Sequence, residues 1–130
     1  MKTKAAGFSL IEVVIAVAII AVLAAIIYPT YRSSVLRSQR SDAINTLQRI
    51  KAAEEKYRSS NTSYGSLSSV WGSTSTPQNL YDLAITNISA TSYTITATAK
   101  GGQANDTGCT TITLAVSNGA DSYTPATCWQ

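Results

Sequence analysis

The hydrophobic and polar positions of this 130-residue chain begin with a long apolar run, residues 8–28, whose only charged member is Glu12. As a helix that rises ~1.5 Å per residue, such a run is about 31 Å long, which is enough to cross the hydrocarbon core of a bilayer. Pro29 follows directly. Because an internal proline removes one backbone hydrogen bond, we expect the helix to bend or to end there.

A second pattern, over residues 33–58, is that of an amphipathic helix. Its apolar positions recur at a spacing of 3.6 residues and form one stripe, which indicates a face that packs on a domain. Glu54 interrupts this stripe and is expected at its edge. The stripe residues are Leu36, Ala43, Leu47, Ile50 and Tyr57.

The remaining chain changes from a loop to strands. Residues 59–79 are rich in Ser, Thr and Gly and are predicted to form a connecting loop. The apolar residues expected to anchor this loop to the domain are Tyr64, Leu67, Val70 and Trp71.

Within residues 80–130, apolar and polar residues alternate with the period of two that is typical of strands. Three strands are predicted at residues 81–85, 93–99 and 111–116, and a short fourth strand at 123–129. The turns between them are predicted at residues 87–92, 101–108 and 117–122. The expected fold class is α+β, with a long amino-terminal helix whose second half packs on a small antiparallel sheet.

The charges of the chain are unevenly distributed between the second helical stretch and the remaining residues. The net charge is +3, but residues 32–58 carry +4 and residues 59–130 carry −2. We interpret the basic helical residues first as a solvated face. Two other interpretations stay open: pairing with the acidic head of a neighbouring chain, and contact with nucleic acid or acidic lipid. The basic residues of this helical stretch are Arg32, Arg37, Arg40, Arg49, Lys51, Lys56 and Arg58.

The chain offers little chemistry for catalysis and no cofactor motif. It has no histidine, and its serines lack a general base beside them. Asp106 with Asn105 and Asp121 could form a calcium-binding oxygen cluster, although these residue types are also common in turns. The sequence therefore predicts a protein that is not an enzyme and has no catalytic or required metal site.

Two cysteines, Cys109 and Cys128, occur in the carboxy-terminal part. An even number of cysteines behind an export-type amino terminus favours a disulfide formed outside the cytoplasm. The alternative is a pair of buried free thiols. A bond between them would be worth roughly 3 kcal/mol in the chain-entropy model, because it closes a loop of about 20 residues.

The charge at Glu12 discriminates among three interpretations of the apolar run: a secretory signal cleaved near residue 24, a plain membrane anchor, or a helix that later packs among copies of itself. A carboxylate inside a membrane helix costs on the order of 2.5–3.5 kcal/mol on insertion scales. Neither a signal nor an anchor needs such a charge. It becomes reasonable if an amino group, created by cleavage before Phe8, is buried with it.

The segment Gly7-Phe8-Ser9-Leu10-Ile11-Glu12, with the apolar run behind it, resembles the processing site of type IV prepilins and of type II secretion pseudopilins. The resemblance implies cleavage between Gly7 and Phe8, N-methylation of Phe8, an assembly role for Glu12 and a helix kink at Pro29. It implies five segments: a leader at 1–7, a transmembrane and assembly helix at 8–29, an amphipathic second half at 30–58, a connecting loop at 59–79, and an antiparallel head at 80–130. A Cys109–Cys128 loop would close this head, as in the type IV pilin fold.

The resemblance also implies a function and a location. The chain would be a major or minor pilin, a structural subunit of a type IV pilus, which supports adhesion, twitching motility or DNA uptake. Its partners would be prepilin peptidase, other pilin subunits, an inner-membrane assembly platform and, before assembly, the bilayer. The precursor would span the bacterial inner membrane once, and the mature subunit would be extracellular. The alternative is a periplasmic pseudopilin of a type II secretion system; a DNA-binding uptake pilin is less favoured, because the head is slightly acidic.

Overall fold

The computed structural model of this protein describes residues 7–130, so most of the predicted leader lies outside the described residues. Helix α1 extends over Leu10–Arg58 and contains Pro29, so the helix does not end at the proline. Lys56 and Arg58 lie in its last turn, where positive charge is favoured by the helix dipole. The chain divides into two units between Val35 and Leu36.

The second unit contains a four-stranded antiparallel sheet in the order β1-β2-β3-β4. The strands are β1 (Tyr81–Thr86), β2 (Ser92–Ala99), β3 (Thr111–Ser117) and β4 (Ala120–Thr124). Ile95 of β2 lies opposite Ile85 of β1 and Leu114 of β3, so apolar side chains align across the sheet. This register places the apolar positions of the central strands on one face.

That face packs against the second half of α1 and forms the core of the unit. Ala43, Leu47 and Ile50 of the helix are fully buried in one cluster with side chains from the first three strands. The predicted α+β architecture is therefore confirmed, and so are three of the five stripe residues, whereas Leu36 and Tyr57 are half-buried and lie outside this cluster. The strand residues of this cluster are Tyr81, Leu83, Tyr93, Ile95, Ala97, Ile112, Leu114 and Val116.

The fourth strand was predicted in the wrong place. The strand ends at Thr124, and residues Ala126–Trp129 form a 3-10 helix instead. The chain reverses at Asn118 and Gly119, whose φ angles of 51° and 80° form a tight turn, so the predicted turn at 117–122 was too long. Asn-Gly accepts two consecutive positive φ angles, which a two-residue hairpin requires.

The connecting loop contains a short helix, α2 (Leu67–Val70). All four predicted anchors pack against the core as partly buried side chains, as expected. The predicted turn at 101–108 also has local structure, because Gly101–Asn105 forms a 3-10 helix.

Cys109 and Cys128 form a disulfide bond with a Cα–Cα distance of 5.7 Å. Both residues are buried. The bond links the start of β3 to the 3-10 helix Ala126–Trp129, so the interpretation as free thiols is wrong.

Candidate assembly helix and charged contacts

The amino-terminal half of α1 exposes its apolar side chains. Residues 7–34 are all exposed, and they include the Val, Leu and Ile side chains between Leu10 and Ile27. Within the described chain, α1 is the one helix long and apolar enough to cross a membrane. Each large apolar side chain gains about 1.5–3 kcal/mol on leaving water, so this surface requires a lipid or protein environment.

The predicted processing residues lie together at the start of this helix. Gly7 and Phe8 precede it, and the Phe8 side chain is 82% exposed. The backbone N–H of Glu12 donates to the Ser9 carbonyl at 3.1 Å and lies 3.4 Å from the Ser9 hydroxyl oxygen. Ser9 and Glu12 have the Ser-x-x-Glu spacing of a capping box, which marks a helix amino terminus.

This arrangement leaves the Glu12 carboxylate available. Glu12 lies in the first turn of α1, where negative charge is favoured by the helix dipole. Its side chain is exposed and forms no salt bridge within residues 7–130. A cut before Phe8 would create an amine at the new chain end. The arrangement can therefore present the Glu12 carboxylate beside that amine.

The basic face of the helix is not simply solvated. Arg40 binds Asp106 through two hydrogen bonds of 2.6 and 2.7 Å, and Lys51 pairs with Asp121. These acids belong to the same chain, so the basic face pairs in part with its own head. Arg58 instead donates to the backbone carbonyls of residues 61 and 90.

Ion pairs engage the carboxylates of Asp106 and Asp121, which the sequence allowed as a possible calcium-binding cluster. Hydrogen bonds from Lys51 and Tyr123 lower the pKa of Asp121, and a bond from Lys100 lowers the pKa of Asp82. Asp106 faces Arg40, and the described residues contain no group of three His, Cys, Asp or Glu side chains arranged for a metal ion. Asp106 and Asp121 thus serve separate ion pairs.

A buried polar network surrounds the Arg40–Asp106 pair. The amide nitrogen of Gln103 donates to the Tyr81 hydroxyl at 2.8 Å and to the Leu36 carbonyl at 3.0 Å. Gln103 is 1% exposed and lies in the 3-10 helix between β2 and β3. This network therefore ties the β2–β3 connection to α1.

The sequence predicted Glu54 at the edge of the apolar stripe. In the structure, Glu54 is instead fully buried. Burial raises the pKa of Glu54, while a hydrogen bond from the Gly65 N–H opposes that rise. The sequence prediction was wrong because it assumed that an acidic residue would stay at a solvent boundary.

Several of these contacts were not predicted from the sequence. The capping spacing at Ser9 and the Asn-Gly turn were readable signals. The Arg40–Asp106 and Gln103–Leu36 contacts were not, because 66 and 67 residues separate the two members of each pair.

Comparison with known families gives two matches. The family described as "Type IV minor pilin ComP, DNA uptake sequence receptor" matches residues 29–113. The family described as "Prokaryotic N-terminal methylation motif" matches residues 2–28. Together the two matches cover the apolar run and most of the head.

The chain is also similar to characterised pilus proteins. It is 36% identical over 101 residues to fimbrial protein EcpC of Eikenella corrodens, which is 77% of this chain and 66% of the relative. It is 29% identical over 105 residues to the type IV major pilin protein PilE1 of Neisseria gonorrhoeae, 81% of this chain and 58% of the relative. These matches span less than two thirds of the length of those relatives.

A third similarity is to the type IV wide pilus major component PilA4 of Thermus thermophilus. The identity is 36% over 104 residues, which is 76% of this chain and 77% of the relative. The similarity thus extends over both the helix and the head.

Proposed function

Because this chain belongs to the type IV pilin family, we propose that it is cut between Gly7 and Phe8, methylated on Phe8 and assembled into a pilus through residues 8–29. One observation carries this proposal: the apolar first half of α1 has only exposed residues and a single carboxylate, in its first turn. The bilayer covers this helix before assembly, and neighbouring helices cover it afterwards. The head then remains as the outer part of each subunit.

Glu12 provides the polar interaction of this assembly. In lipid, its carboxylate costs free energy, and the amine of a mature Phe8 in an adjacent subunit offsets that cost. Pairing favours the filament over the isolated membrane-bound subunit. Other pilin subunits, prepilin peptidase and the assembly platform are the partners that this route requires.

The test is Glu12→Leu, which removes the carboxylate but keeps an apolar helix. We expect membrane insertion to persist and incorporation into filaments to fall on the order of tenfold or more, because 1.4 kcal/mol changes an equilibrium tenfold. Incorporation is measured on sheared filaments, and mass spectrometry of the amino terminus reports cleavage before Phe8. Glu12→Asp keeps a carboxylate and serves as the control; normal incorporation of Glu12→Leu would contradict the proposed role.

Deletion of this chain distinguishes a pilus subunit from a secretion pseudopilin. A pilus subunit is expected in surface filaments, and its deletion abolishes adhesion or twitching. A pseudopilin deletion abolishes protein secretion and leaves surface filaments intact. The pilus is favoured because the relatives above carry pilus or fimbrial names.

A second candidate function is DNA capture, which the described function of the matched minor-pilin family favours. Arg49 and Lys56 are exposed cations of α1 that form no salt bridge in the described chain. Contacts to phosphate weaken steeply as salt rises. A DNA receptor should therefore bind more weakly at physiological salt than at low salt. The double variant Arg49→Gln with Lys56→Gln should bind more weakly than the unmodified chain and with a smaller salt dependence, as measured by gel mobility shift. Binding that responds to neither change would remove this candidate.

A further inference from the structure

The head contains one buried carboxyl group without a cation. Glu54 is 0% exposed, its Oε2 atom accepts a 2.8 Å hydrogen bond from the Gly65 N–H, and its Oε1 atom is buried without a partner. No Lys or Arg forms a salt bridge with it in the described part of the chain. An ionised carboxylate is costly in such a site unless it is paired.

The hydrogen bond from Gly65 closes the beginning of the connecting loop over α1. A Cβ atom at Gly65 would lie 2.7 Å from Val70 Cγ1 and 3.1 Å from Tyr57 Cδ1, so the loop backbone lies directly against these side chains. The preceding residue, Tyr64, donates its N–H to the Ser89 carbonyl at 3.0 Å. The loop is thus attached to the helix through Gly65 and to the β1–β2 connection through Tyr64.

The titratable groups around this cluster limit which group can respond to pH. They are Glu55, Tyr57 and Arg58 of α1, Tyr64 of the loop, Tyr93 of β2 and Asp121 of β4. Burial raises the pKa of Tyr64 and Tyr93, so they stay neutral, and the bond from Lys51 lowers the pKa of Asp121, so it stays ionised. Arg58 stays cationic because an arginine side chain does not deprotonate in proteins.

The chain has no histidine, so the buried acid Glu54 is the group of this cluster whose charge is expected to respond to pH. Glu54 is buried against the loop, whereas Glu55 is exposed. This pair therefore provides its own control.

We propose that Glu54 is a protonation-controlled latch: as a neutral acid it holds the loop closed at Gly65, and on ionisation it releases the loop. Burial raises the pKa of Glu54 in the closed state, so closure is fully favoured below the ordinary pKa of glutamate and is lost as pH rises through the raised value. Release uncovers the side chains of Tyr57, Tyr64 and Val70, which the closed loop keeps partly buried.

The test is hydrogen exchange of the Gly65 amide in the full chain in detergent micelles, at several pH values and corrected for the intrinsic pH dependence of exchange. In the unmodified chain, we expect the protection factor to fall as pH rises, because ionisation of Glu54 disfavours the closed state. Glu54→Gln keeps an acceptor for the Gly65 N–H and cannot ionise. Its protection should stay high at every pH.

Two further variants distinguish the latch from a general loss of structure. Glu54→Met keeps the volume but removes the acceptor, so Gly65 should exchange fast at every pH while amides of β2 and β3 stay protected. Glu55→Gln should behave as the unmodified chain. Protection of Gly65 that does not change with pH, or a pH dependence that persists in Glu54→Gln or disappears in Glu55→Gln, would overturn the proposal.

Discussion

Glu12 and Glu54 show at the residue scale how one sequence signal can have two structural outcomes. Each acid interrupts an apolar pattern of the same helix. Glu12 is exposed in the first turn, whereas Glu54 is buried against a loop. The sequence identified Glu12 as unusual because no other charge occurs in its run. It could not identify Glu54 as buried, because the group that covers it lies 11 residues away in a loop without a regular pattern.

The residue scale also predicts that the two ion pairs between α1 and the head differ in strength. Arg40 and Asp106 have side chains only 15% and 7% exposed, whereas those of Lys51 and Asp121 are about a quarter exposed. Arg40→Gln should lower the free energy of unfolding by about 2 kcal/mol, because it leaves a buried carboxylate without its cation. Lys51→Gln should cost under about 1 kcal/mol, as is usual for exposed pairs.

Chemical denaturation of both variants and of the unmodified chain, followed by near-ultraviolet circular dichroism, measures this difference. High salt should reduce the contribution of the Lys51 pair more than that of the Arg40 pair, since solvent-exposed pairs are screened more strongly. Equal losses in the two variants would contradict the assigned difference in burial.

At the scale of elements, the accuracy of the sequence interpretation followed the strength of each periodic pattern. The first three strands were predicted because their buried side chains are apolar, and the second half of α1 because Ala43, Leu47 and Ile50 recur on one face of the helix. In β4 the pattern is weak, since four of its five residues are exposed and the fifth is half-buried. The apolar residues beyond it, Cys128 and Trp129, belong to a 3-10 helix that a period of two does not describe.

The disulfide is what attaches this last element to the sheet, and its removal gives a prediction at the same scale. The double variant Cys109→Ser with Cys128→Ser should lose about 3 kcal/mol of stability, because the bond closes a loop of about 20 residues in the unfolded chain. The loss is measured by thermal or chemical unfolding, and the reduced unmodified chain provides the matched control. A double variant within about 0.5 kcal/mol of the oxidised chain would contradict a stabilising role; that margin is the usual effect of a neutral surface substitution.

At the scale of the whole molecule, the two units of the chain differ in how their apolar side chains are covered. The first unit presents apolar side chains to its surroundings and depends on lipid or on neighbouring helices for cover. The second unit encloses its own core and uses part of the helical positive charge internally, through Asp106 and Asp121. The head therefore pairs part of the helical charge within the chain, whereas the proposed assembly would use the exposed helix.

The sequence by itself determined the apolar run, the Gly7-Phe8 and Glu12 motif, the amphipathic stripe and three strands, because each depends on residue type and short-range spacing. It also determined the family, since the motif lies in one continuous segment. Tertiary structure alone decided the burial of Glu54 and the pairing of Arg40 with Asp106. These features depend on residues that are brought together only when the sheet closes on the helix, and a local pattern carries no information about such distant partners.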